Sequence, residues 1–88
     1  MPKSEPQLGL AWAVRKKRTE KGMTQEELAT AAGMHLTWIG RLESTGGVNP
    51  TWGSTILIAR ALGVPHAELA ALAEAKDREL KRDRDARA

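Results

Sequence analysis

The chain has 88 residues, 41% of them apolar and 28% charged, and no cysteine. That suffices for one small domain with a modest aliphatic core, and it excludes disulfide scaffolds, thiolate metal sites and cysteine nucleophiles. A net charge of +3 leans toward anionic partners.

Residues 1–7 hold Pro2 and Pro6 among polar groups and read as a flexible arm. They lack the charged-then-apolar layout of a secretory signal, and no apolar run approaches the ~18 residues of a membrane span. The expectation is a cytoplasmic protein with no membrane partner. Leu10, Ala13, Val14 and the stem of Lys17 then recur at helical spacing, and Gly22 closes that helix. The same stretch concentrates cations: Arg15, Lys16, Lys17, Arg18 and Lys21 are opposed only by Glu20. Thr24 with Glu27 forms a capping box ahead of Leu28, Ala29, Ala31 and Ala32, and Gly33 stops this second helix early. A third helix spans 36–43, followed by a loop from Ser44 to Pro50. Thr51 caps a fourth helix whose inner stripe is Trp52, Ile56, Ala59 and Leu62, closed by Gly63; Leu57 points off that stripe. Pro65 starts a fifth helix anchored by Leu69 and Leu72. From Glu74 onward six cations nearly cancel five anions, with Leu80 the sole large apolar residue. Glu74–Arg78, Asp77–Lys81 and Asp83–Arg87 are spaced as i,i+4 pairs, each contributing ~0.2–0.5 kcal/mol. The pattern predicts an all-α, compact five-helix fold: arm 1–7, domain 8–73, and a charged C-terminal extension 74–88 that is helical or frayed.

Residues 25–44 form one object. Two short helices meet steeply across a tight turn only where the contact residue is small and the turn accepts a left-handed backbone. Ala29 supplies the small contact, Gly33 the turn, and Ile39 with Leu42 plugs the later helix onto the earlier beside Leu28. This is the helix-turn-helix spacing. The motifs Met23-Thr24-Gln25-Glu26-Glu27-Leu28-Ala29, Gly33, Ile39-Gly40-Arg41-Leu42-Glu43, Asn49-Pro50-Thr51 and Ile58-Ala59-Arg60-Ala61-Leu62-Gly63-Val64 occur in order. Together they resemble the phage repressor and Cro-like (XRE-type) family of DNA-binding domains, over roughly residues 8–73. The resemblance implies a lambda-repressor-like fold.

On a helical wheel Leu36, Thr37, Gly40 and Arg41 share one arc, opposite Ile39 and Leu42. In the family this arc enters the major groove. Arg41 can donate two bonds to guanine, Thr37 can bond a base edge or pack on thymine, Leu36 suits a thymine methyl, and Gly40 permits close approach. The resemblance implies a backbone-phosphate contact for Gln25, at the first turn of the second helix. Arg15 and Lys16 are further phosphate candidates. His35 stands where the family usually caps with serine or threonine, so it either leaves that helix start loose or donates to a phosphate. Trp38, at the edge of the arc, braces the DNA backbone or covers the turn. Arg18 and Glu43 match the positions of a partly buried ion pair, whose breakage would cost ~3–5 kcal/mol.

Some features depart from the commonest family form. The loop after the third helix is longer by one residue; it is either plainly flexible or offers the Gly46 and Gly47 amides to a phosphate. His66 in place of an apolar residue suggests a thin core under the fifth helix. Trp52 is expected in the core, while Trp12 could pack on the fifth helix. Leu57, Trp12 and the C-terminal extension are the candidate dimer contacts.

The functional expectation is a sequence-specific regulator of transcription that binds double-stranded DNA, a repressor acting as a homodimer. The alternative is an antitoxin or protein-interaction adaptor on the same fold, with a toxin or the transcription machinery as protein partner. No catalytic residue, metal or cofactor is expected.

Overall fold

The turn chemistry read from the sequence recurs in the computed structural model, which describes residues 6–87. Its helices are α1 (Leu8–Glu20), α2 (Gln25–Ala32), α3 (Leu36–Thr45), α4 (Trp52–Leu62) and α5 (His66–Ala86), with no strand among the described residues. The Thr24–Glu27 capping box closes both ways: the Glu27 N–H donates to Thr24 Oγ1 at 3.0 Å and the Thr24 N–H to Glu27 Oε1 at 2.9 Å. Those bonds satisfy two amides that a helix start otherwise leaves unpaired. Thr51 caps α4 through the Ser54 N–H at 3.0 Å.

One core joins all five helices. Val14, Leu28, Ile39, Leu42, Ile58, Leu62 and Leu69 are its fully buried large side chains. Alanines at 13, 29, 32, 59 and 73 fill the closer contacts. The inner face of α4 is therefore Ile58, Ala59 and Leu62, which corrects the expected stripe. Ile56 is half-buried, and Trp52 is 73% exposed. Trp52 opens the first turn of α4, beyond the packed layer, in a T-shaped contact with His66 at 4.5 Å between ring centroids. Position along the helix, not angle around it, puts this tryptophan outside the core. His66 is half-buried and pairs with Thr55 Oγ1 at 2.8 Å.

α5 runs without a break across residues 73 and 74. Its far half is tied back to α1: the Gly9 N–H donates to Asp77 Oδ1 at 2.8 Å. Gln7, the residue preceding α1, makes no side-chain cap, so Asp77 supplies from α5 an acceptor that α1 lacks locally. Gly9 must be glycine here, because a Cβ would collide with the Ala73 carbonyl and the Asp77 carboxylate. Among the described residues from Glu74 onward the ion pair formed is Lys76–Glu79 at 3.1 Å, and not the i,i+4 pairs expected. Trp12 lies against α5, with Lys76 Nζ 4.9 Å from its ring centroid.

Of the arm expected over 1–7, residues 1–5 lie outside the described residues. Gln7 is held: its N–H donates to the Gly46 carbonyl at 2.7 Å, and its carbonyl accepts from the Ala11 N–H at 2.9 Å.

Candidate nucleic-acid interface

α2 ends where Gly33 adopts φ 69°, a left-handed conformation that sends the chain directly into α3. His35 occupies the cap position of α3 with an extended backbone and no side-chain cap bond. Its carbonyl still accepts from the Trp38 and Ile39 amides at 3.1 and 3.2 Å, which holds the first turn. The imidazole is exposed. α3 runs two residues past the expected end, to Thr45, because Gly46 in a left-handed conformation caps it and its N–H donates to the Leu42 carbonyl.

The two sides of α3 differ sharply. Ile39, Leu42 and Glu43 are buried. Leu36, Thr37 and Arg41 are exposed, Leu36 at 47%. Gly40 is half-buried on the same ridge. Its φ is not positive, and a Cβ built there would meet nothing nearer than Gln25 Oε1 at 3.8 Å. Neither backbone conformation nor internal packing therefore demands a glycine at this place. Trp38 is half-buried and packs against the core.

Beneath the ridge lies the Arg18–Glu43 pair. Arg18 Nε donates to Glu43 Oε2 at 2.7 Å and Nη2 to Oε1 at 2.8 Å, while Nη1 donates to the Met23 carbonyl at 2.7 Å. The side chains are only 12% and 2% exposed. The hydrogen bonds that Arg18 donates to Glu43 raise the arginine pKa above its ordinary value, against the opposing effect of burial. The planar fork explains why arginine occupies this place: it meets both carboxylate oxygens and a backbone carbonyl at once. No buried side-chain nitrogen or oxygen among the described residues lacks a partner.

Gln25 joins this group. Its Nε2 donates to Glu43 Oε1 at 3.3 Å, so the side chain expected at a phosphate also touches the ion pair. Sequence reading missed that link, although the three residue types, a fork donor, a carboxylate and a carboxamide, are natural partners. Arg15 and Lys16 are exposed on α1, and Lys16 pairs with Glu20 at 3.0 Å. No hydrogen bond or ion pair joins either cation to α2 or α3 among the described residues. The glycine amides after α3 are not open to an anion: Gly46 N–H binds the Leu42 carbonyl at 3.0 Å and Gly47 N–H binds Thr45 Oγ1 at 2.9 Å. That loop is a capped helix end.

A model of the helix-turn-helix domain matches residues 10–72. The chain belongs to the helix-turn-helix domain family. It is 44% identical over 52 residues to an uncharacterized HTH-type transcriptional regulator, y4dJ, of Sinorhizobium fredii; the match covers 59% of this chain and 66% of that one. The chain thus spans just under two thirds of that relative's length. Its fold is similar to the clp gene regulator ClgR of Corynebacterium glutamicum, with a TM-score of 0.84 at 25% identity over 96% of this chain and 88% of that one. It is similar also to the restriction-modification controller protein C.AhdI of Aeromonas hydrophila, with a TM-score of 0.68 at 30% identity, covering 72% and 94%. A third likeness is to the restriction-modification controller protein C.Esp1396I, with a TM-score of 0.75 at 29% identity over 86% and 97%. No single described helix is long and apolar enough to cross a membrane.

Proposed function

We propose that the chain is a sequence-specific, double-stranded-DNA-binding regulator of transcription that enters the major groove with α3. The observation carrying this reading is the two-sidedness of α3: Ile39, Leu42 and Glu43 seat it in the fold, and Leu36, Thr37 and Arg41 stand clear on the other side. The relatives support it. One is described as a transcriptional regulator, and C.Esp1396I, 30% identical over 82% of this chain with a TM-score of 0.72, forms a nucleoprotein complex.

In this reading Arg41 donates to a guanine edge, Leu36 and Thr37 pack on or bond neighbouring bases, and Gly40 lets the helix sit deep. Gln25 and the α2 amides hold a phosphate, with Arg15, Lys16 and His35 adding weaker backbone attraction. Trp38 braces the same side. The chain acts as a homodimer through the exposed Leu57 of α4 and represses where its site overlaps a promoter. Two-fold dimers place their reading helices about 34 Å apart, which calls for a near-palindromic site. The test is selection from a randomised duplex library followed by a salt titration. Enrichment of one palindromic motif, with affinity falling steeply as salt rises, supports the reading. Failure to enrich any motif, even in dilute buffer, defeats it.

A second reading, a protein-interaction adaptor or antitoxin, is favoured by the exposure of Trp52 and Leu57 at 73% and 45%. It requires a protein complex whose stability tracks those two residues and survives raised salt.

A further inference from the structure

Arg18, Gln25 and Glu43 come from α1, α2 and α3, and one carboxylate joins them. Glu43 accepts from Arg18 Nε and Nη2 and from Gln25 Nε2. An ionised carboxylate only accepts, so it dictates which end of a neighbouring carboxamide faces it. Were the Gln25 amide reversed, its Oε1 would oppose a carboxylate oxygen. The amide is therefore held with nitrogen toward Glu43, and because its two N–H bonds diverge, the second is directed away from the ion pair. Gly40 sets no side chain over this amide: a Cβ there would lie 3.8 Å from Gln25 Oε1. Arg18 also neutralises Glu43, so the pair itself sets no bare negative charge beside the Gln25 amide.

We propose that Glu43, itself held by Arg18, is a positioning residue for DNA binding: it presets the Gln25 carboxamide so that a free N–H meets a phosphate oxygen. The proposal rests on the reading of α2 and α3 as the DNA-contacting side. It gives the ion pair a role beyond stability, since the interaction that closes the fold also orients the donor that reads the backbone. A preset donor meets its acceptor without losing rotamer freedom at the moment of binding.

The test is a double-mutant cycle on affinity. The probe is a fluorescent 20-base-pair duplex carrying the motif that the wild-type protein enriches from a random library. Wild type, Gln25→Ala, Glu43→Gln and the double variant are compared at a temperature where circular dichroism shows each fully folded. Glu43→Gln keeps side-chain volume and an acceptor for Arg18 but no longer dictates the orientation of Gln25. The expected loss is about 3- to 10-fold for either single variant, the range of one hydrogen bond, with an unchanged salt slope for Gln25→Ala, because a neutral carboxamide displaces no counterion. In the Gln25→Ala background, Glu43→Gln should cause no further loss. An equal loss with and without Gln25 would overturn the proposal, as would no loss from Glu43→Gln alone.

If Glu43→Gln does not fold, the wild-type complex decides. In the complex the Gln25 Nε2 should show scalar coupling across its hydrogen bond to the Glu43 carboxylate, and one of its two amide protons should stay protected from solvent exchange. A Gln25 amide with no coupling to Glu43 in the complex and both protons exchanging freely would refute it. If the library yields no motif, the functional reading has failed; a motif without the coupling fails this inference alone.

Discussion

Replacing Gly40 by alanine should move stability and binding in opposite directions. Glycine inside a helix costs about 0.8–1.0 kcal/mol relative to alanine, because it loses more backbone freedom on folding. At Gly40 nothing offsets that cost within the chain. Its φ is not positive, and the nearest atom to a new methyl, Gln25 Oε1 at 3.8 Å, lies at ordinary contact distance. Gly40→Ala should therefore raise stability by about 1 kcal/mol, or roughly 4–8 °C in Tm for a domain of this size. On the DNA side, the methyl rises between Thr37 and Arg41 and holds the helix off the bases. Loss of one good base contact is about 1–3 kcal/mol, which is roughly 5- to 150-fold in Kd. Thermal melting and fluorescence anisotropy on the selected duplex read the two effects separately. A higher Tm with unchanged affinity would refute the reasoning that an outside partner demands this glycine. A lower Tm would refute the premise that the fold does not.

Arg18→Ala and Glu43→Ala should each cost about 3–5 kcal/mol in urea unfolding, since each strands a buried, formerly paired group; a change of a few tenths would mean the pair is effectively solvated. Gly9→Ala should destabilise by at least ~1–3 kcal/mol in the same assay, because its methyl meets the Ala73 carbonyl and must push α1 from α5. A neutral result there would show that the two helices are not tightly docked. The capping box predicts an acid-side effect. The Thr24 backbone N–H, with its hydroxyl, holds the Glu27 carboxyl below the ordinary carboxylate range. The stabilisation is then fully present above the unfolded pKa and is lost as pH falls through the lower folded value. The Tm gap between wild type and Glu27→Gln should accordingly narrow on acidification; a gap that widens would contradict the assignment.

Local chemistry carried most of the fold into the sequence. Thr24, Glu27, Gly33, Thr51 and Gly63 mark helix ends by hydrogen bonding or by left-handed turns, and both devices are short-range. The seat of α3 was legible for the same reason, as Ile39 and Leu42 fall on one side at helical spacing. Trp52 misled because size suggested burial, whereas the first turn of α4 overhangs the packed layer. Counting the stripe from Trp52 then displaced Ile58. Gly9–Asp77, separated by 68 positions, leaves no trace in any local window; the isolated glycine in Leu8-Gly9-Leu10 was the one available signal. The helical extension beyond Ala73 was legible in its charge spacing, but its docking on α1 was not, because the segment has too few apolar residues to announce it. The Gln25–Glu43 bond needed the angle between α2 and α3, which periodicity does not supply.

The contact between α3 and duplex DNA is the claim on which the rest depends. The most direct measurement is an amide-resolved NMR titration of labelled protein with the selected duplex. The largest shifts are expected at Gln25 and from Leu36 through Arg41, with Leu57 and the α5 tail following only through dimerisation. Unmoved α3 amides at saturating duplex, or shifts confined to the α1 cations, would contradict that claim.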